Sequence, residues 1–305
     1  MNDLTVCDAQ SADAPALARL LTAAYLGQWT TTTGEIERRI HLANPNTFIL
    51  SAQLRGEVLA GLSASAFDSA PGGLRIQLYG DPAAFTPLYL EALIRASQQG
   101  FTRLLSVVRE DYAPQVAFLN AAAFRNAYQS WGAHLNLSIF DFGPYQSLEE
   151  RHFLDGTEVL SFVPESEDAP WEALYALHEQ GVQDTPRNPT TTSEVASLEQ
   201  FRARVASGRV FAALRRGEVL AYTAFELGKG FVETSHTATR REWRGRGLAT
   251  LTKATALRWA REAGYARAST GGNVANLPML RVNQALGYRP EGMWLSFVKD
   301  VTLPA

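Results

Sequence analysis

The hexapeptide Arg55-Gly56-Glu57-Val58-Leu59-Ala60 recurs unchanged as Arg216-Gly217-Glu218-Val219-Leu220-Ala221. Each copy follows an apolar run, residues 48–54 or 210–214. A glycine-bearing turn between two apolar runs predicts a β-hairpin. Upstream, Ser11-Ala12-Asp13-Ala14-Pro15 echoes Ser166-Glu167-Asp168-Ala169-Pro170, each ahead of an Ala/Leu-rich stretch. Asp before Pro suits the start of a helix. Downstream, Ala123-Phe124-Arg125 echoes Gly287-Tyr288-Arg289, each followed by a tryptophan, Trp131 or Trp294. Three echoes in one order, at nearly constant separation, predict a duplicated domain rather than a short-period solenoid. The copies are expected at residues 1–148 and 157–305. The break falls in 143–156, where Gly143-Pro144 and Glu149-Glu150-Arg151 interrupt the apolar pattern.

Each copy predicts the same order of elements. A strand (4–7 or 159–163) leads to two helices (15–26 and 34–42, or 170–180 and 197–206). The repeated hairpin follows, then a strand (74–79 or 231–239) and a longer helix (87–99 or 248–263). A strand, a short helix and a final hairpin close the copy. This is a mixed α/β class with a mostly antiparallel sheet flanked by helices.

Two domains suit 305 residues. A net charge of −3 argues against a dedicated nucleic-acid binder. The single cysteine, Cys7, allows no intrachain disulfide and no thiolate zinc site, and no metal is expected. No apolar run reaches membrane-spanning length, and the N-terminus lacks the pattern of a signal peptide. The expectation is a cytoplasmic protein without membrane or nucleic-acid partners. Its oligomeric state is not legible.

Chemistry concentrates at Arg244-Gly245-Arg246-Gly247-Leu248-Ala249, between the predicted strand 230–239 and helix 248–263. Two glycines at a strand-to-helix turn let the backbone approach a ligand closely. The first helical turn offers unpaired N–H groups and the positive end of the macrodipole. That combination binds phosphate. No Gly-Lys-Ser/Thr follows, and the spacing is not that of a dinucleotide fingerprint.

The pattern Arg244-x-x-Gly247-x-Ala249 at this turn resembles the GCN5-related N-acetyltransferases. So do Asn276-Leu277-Pro278-Met279-Leu280, Asn283 and Leu286-Gly287-Tyr288, which match the family's late helix and Leu-Gly-aromatic ending. The resemblance covers residues 157–300 well and reaches the first copy through the repeat. Two-copy chains occur in that family, including relatives of mycothiol synthase. The resemblance implies acetyl-CoA as cosubstrate. The N–H groups of residues 245–249, beginning after Arg244, would hold the pyrophosphate. The strand edge at Thr237, Ala238 and Thr239 would hold the pantetheine and polarise the thioester carbonyl. Asn276 either touches the pantetheine arm or caps the helix behind it.

In the first copy, Gly80-Asp81-Pro82-Ala83-Ala84 stands near the loop position. Asp81 would repel a pyrophosphate, and Pro82 lacks an N–H. One acetyl-CoA site per chain is therefore expected, with a degenerate N-terminal domain.

The implied reaction is attack of a primary amine on the thioester. An alkyl amine is mostly protonated at neutral pH, and removing that proton costs roughly 4 kcal/mol. A base is therefore needed. Glu233 is the first candidate, since several relatives keep a glutamate near this place; otherwise it is a solvated charge. His236 is the second candidate base, or else a structural histidine. Regular alternation would put it on the opposite face from Glu233. Many relatives carry a tyrosine, the general acid, where this chain has Asn283. Asparagine can hydrogen-bond a thiolate but not protonate it. The acceptor loop is expected at 184–192, where Asp184 either pairs with a cationic amine or is solvated. Trp171, Tyr175 and Trp294 are pocket walls or core. Besides an N-acetyltransferase acting on a small amine, two readings remain open: a non-catalytic acyl-CoA-binding protein and a peptide or protein N-acetyltransferase.

Overall fold

The structure, a computed structural model, describes residues 4–25, 30–67, 70–186, 188 and 197–301. The first half of the chain forms β1 (Leu4–Asp8), α1 (Ala14–Ala24), α2 (Thr33–His41), β2 (Thr47–Leu54), β3 (Glu57–Ala66) and β4 (Gly73–Gly80). It continues with α3 (Phe85–Gln98), β5 (Arg103–Arg109), α4 (Ala113–Ala121) and β6 (Arg125–Asn136). The second half forms α5 (Gln146–Leu154), β7 (Thr157–Phe162), α6 (Trp171–Asp184), α7 (Leu198–Arg204), β8 (Gly208–Arg215) and β9 (Glu218–Leu227). Then come β10 (Phe231–Thr239), α8 (Leu248–Glu262), β11 (Arg267–Asn273), α9 (Leu277–Ala285), β12 (Arg289–Pro290) and β13 (Trp294–Asp300).

The repeat is visible in backbone angles. Arg55 and Gly56 turn the β2–β3 hairpin with φ of 52° and 83°, and Arg216 and Gly217 turn β8–β9 with 49° and 80°. Positive φ at both central residues suits the right-handed twist of paired strands. Ala123 and Gly287, which end α4 and α9, are both left-handed, at 58° and 90°.

The chain divides into two compact units. The first holds the described residues of 1–129, Asn188, and those from 292 onward; the second holds those of 130–186 and 197–291. In the first unit the strand order is β1-β2-β3-β4-β5-β13, all neighbours antiparallel except β4–β5. Leu50, Leu62, Leu74 and Ile76 meet Phe85 and Leu88 of α3, and Phe297 of β13 joins them. On the other face Leu17 and Leu21 of α1 and Ile36 of α2 pack with Tyr79. In the second unit the order is β7-β8-β9-β10-β11-β6, with β12 also on β6 and only β10–β11 parallel. Trp171, Leu174 and Leu177 of α6 and Phe201 of α7 bury against Tyr222 and Ala224 of β9.

This arrangement differs from the expected halves in two respects. The last strand of the chain, β13, completes the first unit, while β6 completes the second. The expected break at 143–156 is also filled by α5, a helix of the second unit.

In each unit the parallel pair is short. Only Gly73, Leu74 and Arg75 of β4 pair with β5. Only Phe231, Val232 and Glu233 of β10 pair with β11. Beyond those residues each strand continues along its antiparallel neighbour alone, so its other edge opens into a wedge.

Candidate acyl-CoA and catalytic site

Strand β10 ends at the glycine loop. Gly245 and Gly247 have φ of 75° and 84°. Gly247 is the N-cap of α8 and has no side chain with which to occupy the first N–H groups of the helix. The expected strand-to-helix glycine turn is therefore formed, with Leu248 and Ala249 in the first helical turn. Thr252 stabilises that turn by donating to the Leu248 carbonyl at 3.1 Å. Its hydroxyl lies 3.1 Å from that of Thr223, which lies 3.2 Å from that of Thr237. A buried hydroxyl chain thus ties α8, β9 and β10 together.

Sequence reasoning treated 143–156 as a boundary, yet these residues brace the loop. A Cβ on Gly247 would lie 3.0 Å from Leu148 of α5. His152 of α5, itself buried, donates through Nε2 to the Arg246 carbonyl at 2.9 Å. Arg258 of α8 pairs with Glu149 at 2.9 Å. The signal for this helix was weak, since its apolar residues Leu148, Phe153 and Leu154 follow no clear period.

The basic cluster is anchored by an acid. Asp184, at the end of α6, accepts from Arg241 at 2.6 Å and also from Arg244. The Arg241 and then the Arg244 guanidinium hold its carboxyl well below the usual carboxylate range. Asp184 therefore serves the loop rather than standing ready for a cationic amine. Arg244 also donates to the Thr239 carbonyl at 3.1 Å. Arg246 stacks 4.6 Å from the Trp243 ring centroid. Of the rest of the expected acceptor loop only Thr185, Pro186 and Asn188 are among the described residues.

The open edge of β10 can be assigned atom by atom. Arg240 N–H donates to the Leu220 carbonyl at 2.9 Å. Antiparallel pairs alternate between bonded and non-bonded, so Ala238 and His236 turn their backbone groups toward β9. Thr237 and Thr239 turn theirs into the wedge. Ala238, expected at the pantetheine, instead directs its backbone to β9 and its methyl toward Gly181 of α6.

The register of β10 shifts between Thr234 and His236, leaving Ser235 as the extra residue. Glu233 faces Glu226, and His236 faces Ala224. Glu226 and Ala224 are two apart on β9, so Glu233 and His236 share a face. The bulge reverses the expectation that they point oppositely.

Their chemistry nevertheless differs. Glu233 is exposed, and partial desolvation, then the Glu226 carboxylate, raise its pKa against an opposing effect of His134. A carboxylate with raised proton affinity suits a base. His236 buries Nε2 and packs its ring 4.5 Å from that of His178. A Cβ on Gly181 would lie 3.0 Å from that nitrogen, so only glycine lets α6 lie so close. Burial, then His178 and Arg204, lower His236 to about 3. Such an imidazole stays neutral and binds protons too weakly to serve as a base near neutrality.

His178 is likewise lowered to about 4, by burial and then Arg204, with Nδ1 2.9 Å from the Tyr222 hydroxyl. In the unfolded chain both histidines titrate near 6.5. Above that pH neither state carries the extra protons and stability is full. As pH falls toward about 4 only the unfolded chain gains them. For His178 alone the expected loss at pH 5 is roughly 2 kcal/mol. Urea midpoints should fall between pH 7 and pH 5, and His236→Asn should lessen that fall while lowering the pH 7 midpoint.

Asn276 caps α9, accepting from Met279 N–H at 3.3 Å. Asn283 is 1% exposed, and both polar atoms of its amide lack a partner. Sequence reasoning missed Lys253 of α8, which is fully buried and donates to the Thr234 hydroxyl at 3.2 Å. Its signal was present: Lys253 is the one charge on the stripe Ala249, Lys253, Ala256, Leu257, Ala260. Trp171 is core, and Trp294 lies in the first unit against Tyr112.

The first unit keeps the wedge and fills it. Asp81 is a helix N-cap whose carboxylate accepts from Ala83 N–H at 2.9 Å. Strand β4 runs against β3 with no register shift. Asp81 N–H donates to the Leu59 carbonyl at 3.0 Å, so by the same alternation Leu78 faces the wedge. The buried Gln115 of α4 donates to the Leu78 carbonyl at 3.4 Å. The chain's own amide thus occupies the group equivalent to Thr237.

A glycine turn at an uncapped helix N-terminus, a bulged strand and a wedge beside it make up the candidate site. Residues 171–288 match the model of the Acetyltransferase (GNAT) family. The whole chain has the fold of tandem members of that class. It is similar to a GCN5-related N-acetyltransferase from Sphaerobacter thermophilus, with 15% identity, a TM-score of 0.71, and 99% of this chain and 96% of that chain covered. A tandem GNAT protein from the clavulanic acid biosynthesis pathway gives 20% identity and a TM-score of 0.67, with 99% of each chain covered. A glucosamine N-acetyltransferase region of a fungal multi-domain β-N-acetylglucosaminidase gives 13% identity and a TM-score of 0.69, with 96% of this chain and 38% of that chain covered. These likenesses show the fold. No curated protein matches the sequence. No helix among the described residues is long and apolar enough to cross a membrane.

Proposed function

We propose that the chain transfers an acetyl group from acetyl-CoA to a primary amine of a small molecule, by direct attack. The observation that carries this reading is the uncapped N-terminus of α8, with left-handed Gly245 and Gly247, at the end of an open-edged β10. The residues fit the cosubstrate. The N–H groups of 245–249 would take the pyrophosphate, and the backbone groups of Thr237 with the N–H of Thr239 the pantetheine, the Thr239 carbonyl being held by Arg244. Bound acetyl-CoA supplies a thioester carbonyl open to attack by an amine.

Glu233 takes the amine proton, directly or through water. Glu226 beside it adds a second carboxylate to the same face, which favours a cationic acceptor over an anionic one. Mixing the protein with acetyl-CoA and a panel of amines and peptides should release free CoA thiol with a small amine. Thermal stabilisation by acetyl-CoA with no turnover on any amine or peptide would point instead to a binding module.

The Asp81 cap and the Gln115 plug support a single site. Calorimetric titration with acetyl-CoA should give a stoichiometry of about one per chain. A second equivalent bound with similar affinity would overturn the assignment of the first unit as degenerate.

A further inference from the structure

Lys253 is fully buried, and among the described residues no carboxylate pairs with it. Its Nζ donates to Thr234 Oγ1 at 3.2 Å and lies 5.4 Å from the Tyr288 ring centroid. Thr234 of β10 and Tyr288 beyond α9 are the polar groups that face it. Thr234 is the first residue of β10 beyond its last pair with β11, at the mouth of the wedge and beside the bulge. Tyr288 N–H donates to the Asn283 carbonyl at 3.0 Å. The end of α9 thereby holds the unpartnered Asn283 amide next to the Tyr288 backbone. A buried cation without a counterion and a buried amide whose polar atoms are both unsatisfied are each expensive for a core. A ligand that supplies negative charge would relieve the first.

We propose that the Lys253 ammonium meets the sulfur of acetyl-CoA and gives its proton to the departing thiolate. It would replace the tyrosine that many relatives carry at the position of Asn283. This rests on the acetyl-CoA reading of the site. As the acceptor nitrogen bonds to the acyl carbon, the carbon–sulfur bond breaks and its electron pair leaves on sulfur. Lys253 protonates that pair and becomes a neutral amine. The proton shed by the acceptor amine passes to Glu233 and then to solvent, and Lys253 recovers one from solvent before the next turnover. Burial alone lowers Lys253 from the ordinary lysine range to about 7. A thiol titrates near ~8.5; beside the ammonium the thiolate is stabilised and the lysine's own proton affinity rises, so the two become nearly matched and the proton can pass between them. Asn283 can donate an amide hydrogen to the same sulfur.

The test is the ionisation of CoA bound to the full-length protein, followed by thiolate ultraviolet absorbance across pH. In wild type the bound thiol should titrate about one unit or more below free CoA, giving roughly tenfold more thiolate near neutrality. In Lys253→Met and Lys253→Gln, CoA should still bind but titrate like the free thiol, with kcat down roughly 100-fold and little change in KM. A wild-type bound thiol that titrates as free CoA overturns the proposal even if neither variant folds. So does a lowered value that survives in a folded variant. If wild type binds no CoA, the acetyl-CoA reading fails first and this proposal with it, so the two failures are distinguishable.

Discussion

Gly247→Asp should abolish acetyl-CoA binding while leaving the domain folded. The substitution recreates at α8 what the first unit already has at Asp81, whose carboxylate takes a helical N–H at 2.9 Å. An aspartate at the N-cap of α8 would compete for the same donors and repel the pyrophosphate. Asp tolerates the left-handed conformation better than most residues, which limits the cost of the 84° φ. The new Cβ would meet the end of the flexible Leu148 side chain at 3.0 Å, which can shift. The expected outcome is at least ~100-fold weaker binding, about 2.7 kcal/mol, with a small change in the urea midpoint. Calorimetry with acetyl-CoA checks the first and equilibrium unfolding the second. Binding that survives would show that the phosphates are held elsewhere, with the arginines as the obvious next candidates.

Glu233→Gln should lower kcat by roughly 10²- to 10³-fold without loss of stability. Partial burial and Glu226 raise the Glu233 pKa, so in wild type the protonated, inactive form persists to higher pH than for an ordinary glutamate. The rate should therefore fall as pH drops through that raised value, and the glutamine variant should lose this acid limb. Removing one of two carboxylates directly opposite each other also relieves repulsion, worth roughly 0.2–1 kcal/mol. A variant that is slow yet at least as stable as wild type separates a catalytic role from a structural one. Steady-state kinetics across pH, alongside urea unfolding, supply both readings. Wild-type turnover in Glu233→Gln would move the base to Glu226 or to water. His236 is not an alternative at neutral pH, because burial against α6 leaves its ring with too little affinity for a proton.

The fold was legible wherever local chemistry decided it. The repeated Arg-Gly turn, the Asp-Pro helix starts and the glycine loop each force a backbone conformation that nearby residues cannot override. Asn276 was readable as a cap and Asp81 as a poor phosphate neighbour for the same reason. What was not legible depends on pairing at long range. The extra residue Ser235 carries no signature of its own, yet it turns His236 to the face of Glu233. The burial of Lys253 depends on β10 and Tyr288 closing over it, although its place on an apolar stripe was a usable signal. The exchange of β6 and β13 could not be read at all, because both strands have the composition expected of either copy. Glu149 made the start of the second unit look like a linker, since its partner Arg258 lies far along the chain.

That exchange has a consequence for synthesis. The first unit needs residues 294–300 for its last strand, so it cannot finish folding when its own half of the chain emerges from the ribosome. Until then β5 presents an unpaired edge, open to strands of other chains. The sequence repeats half by half, but the first unit reaches completion only once residues 294–300 have been made, after the whole of the second.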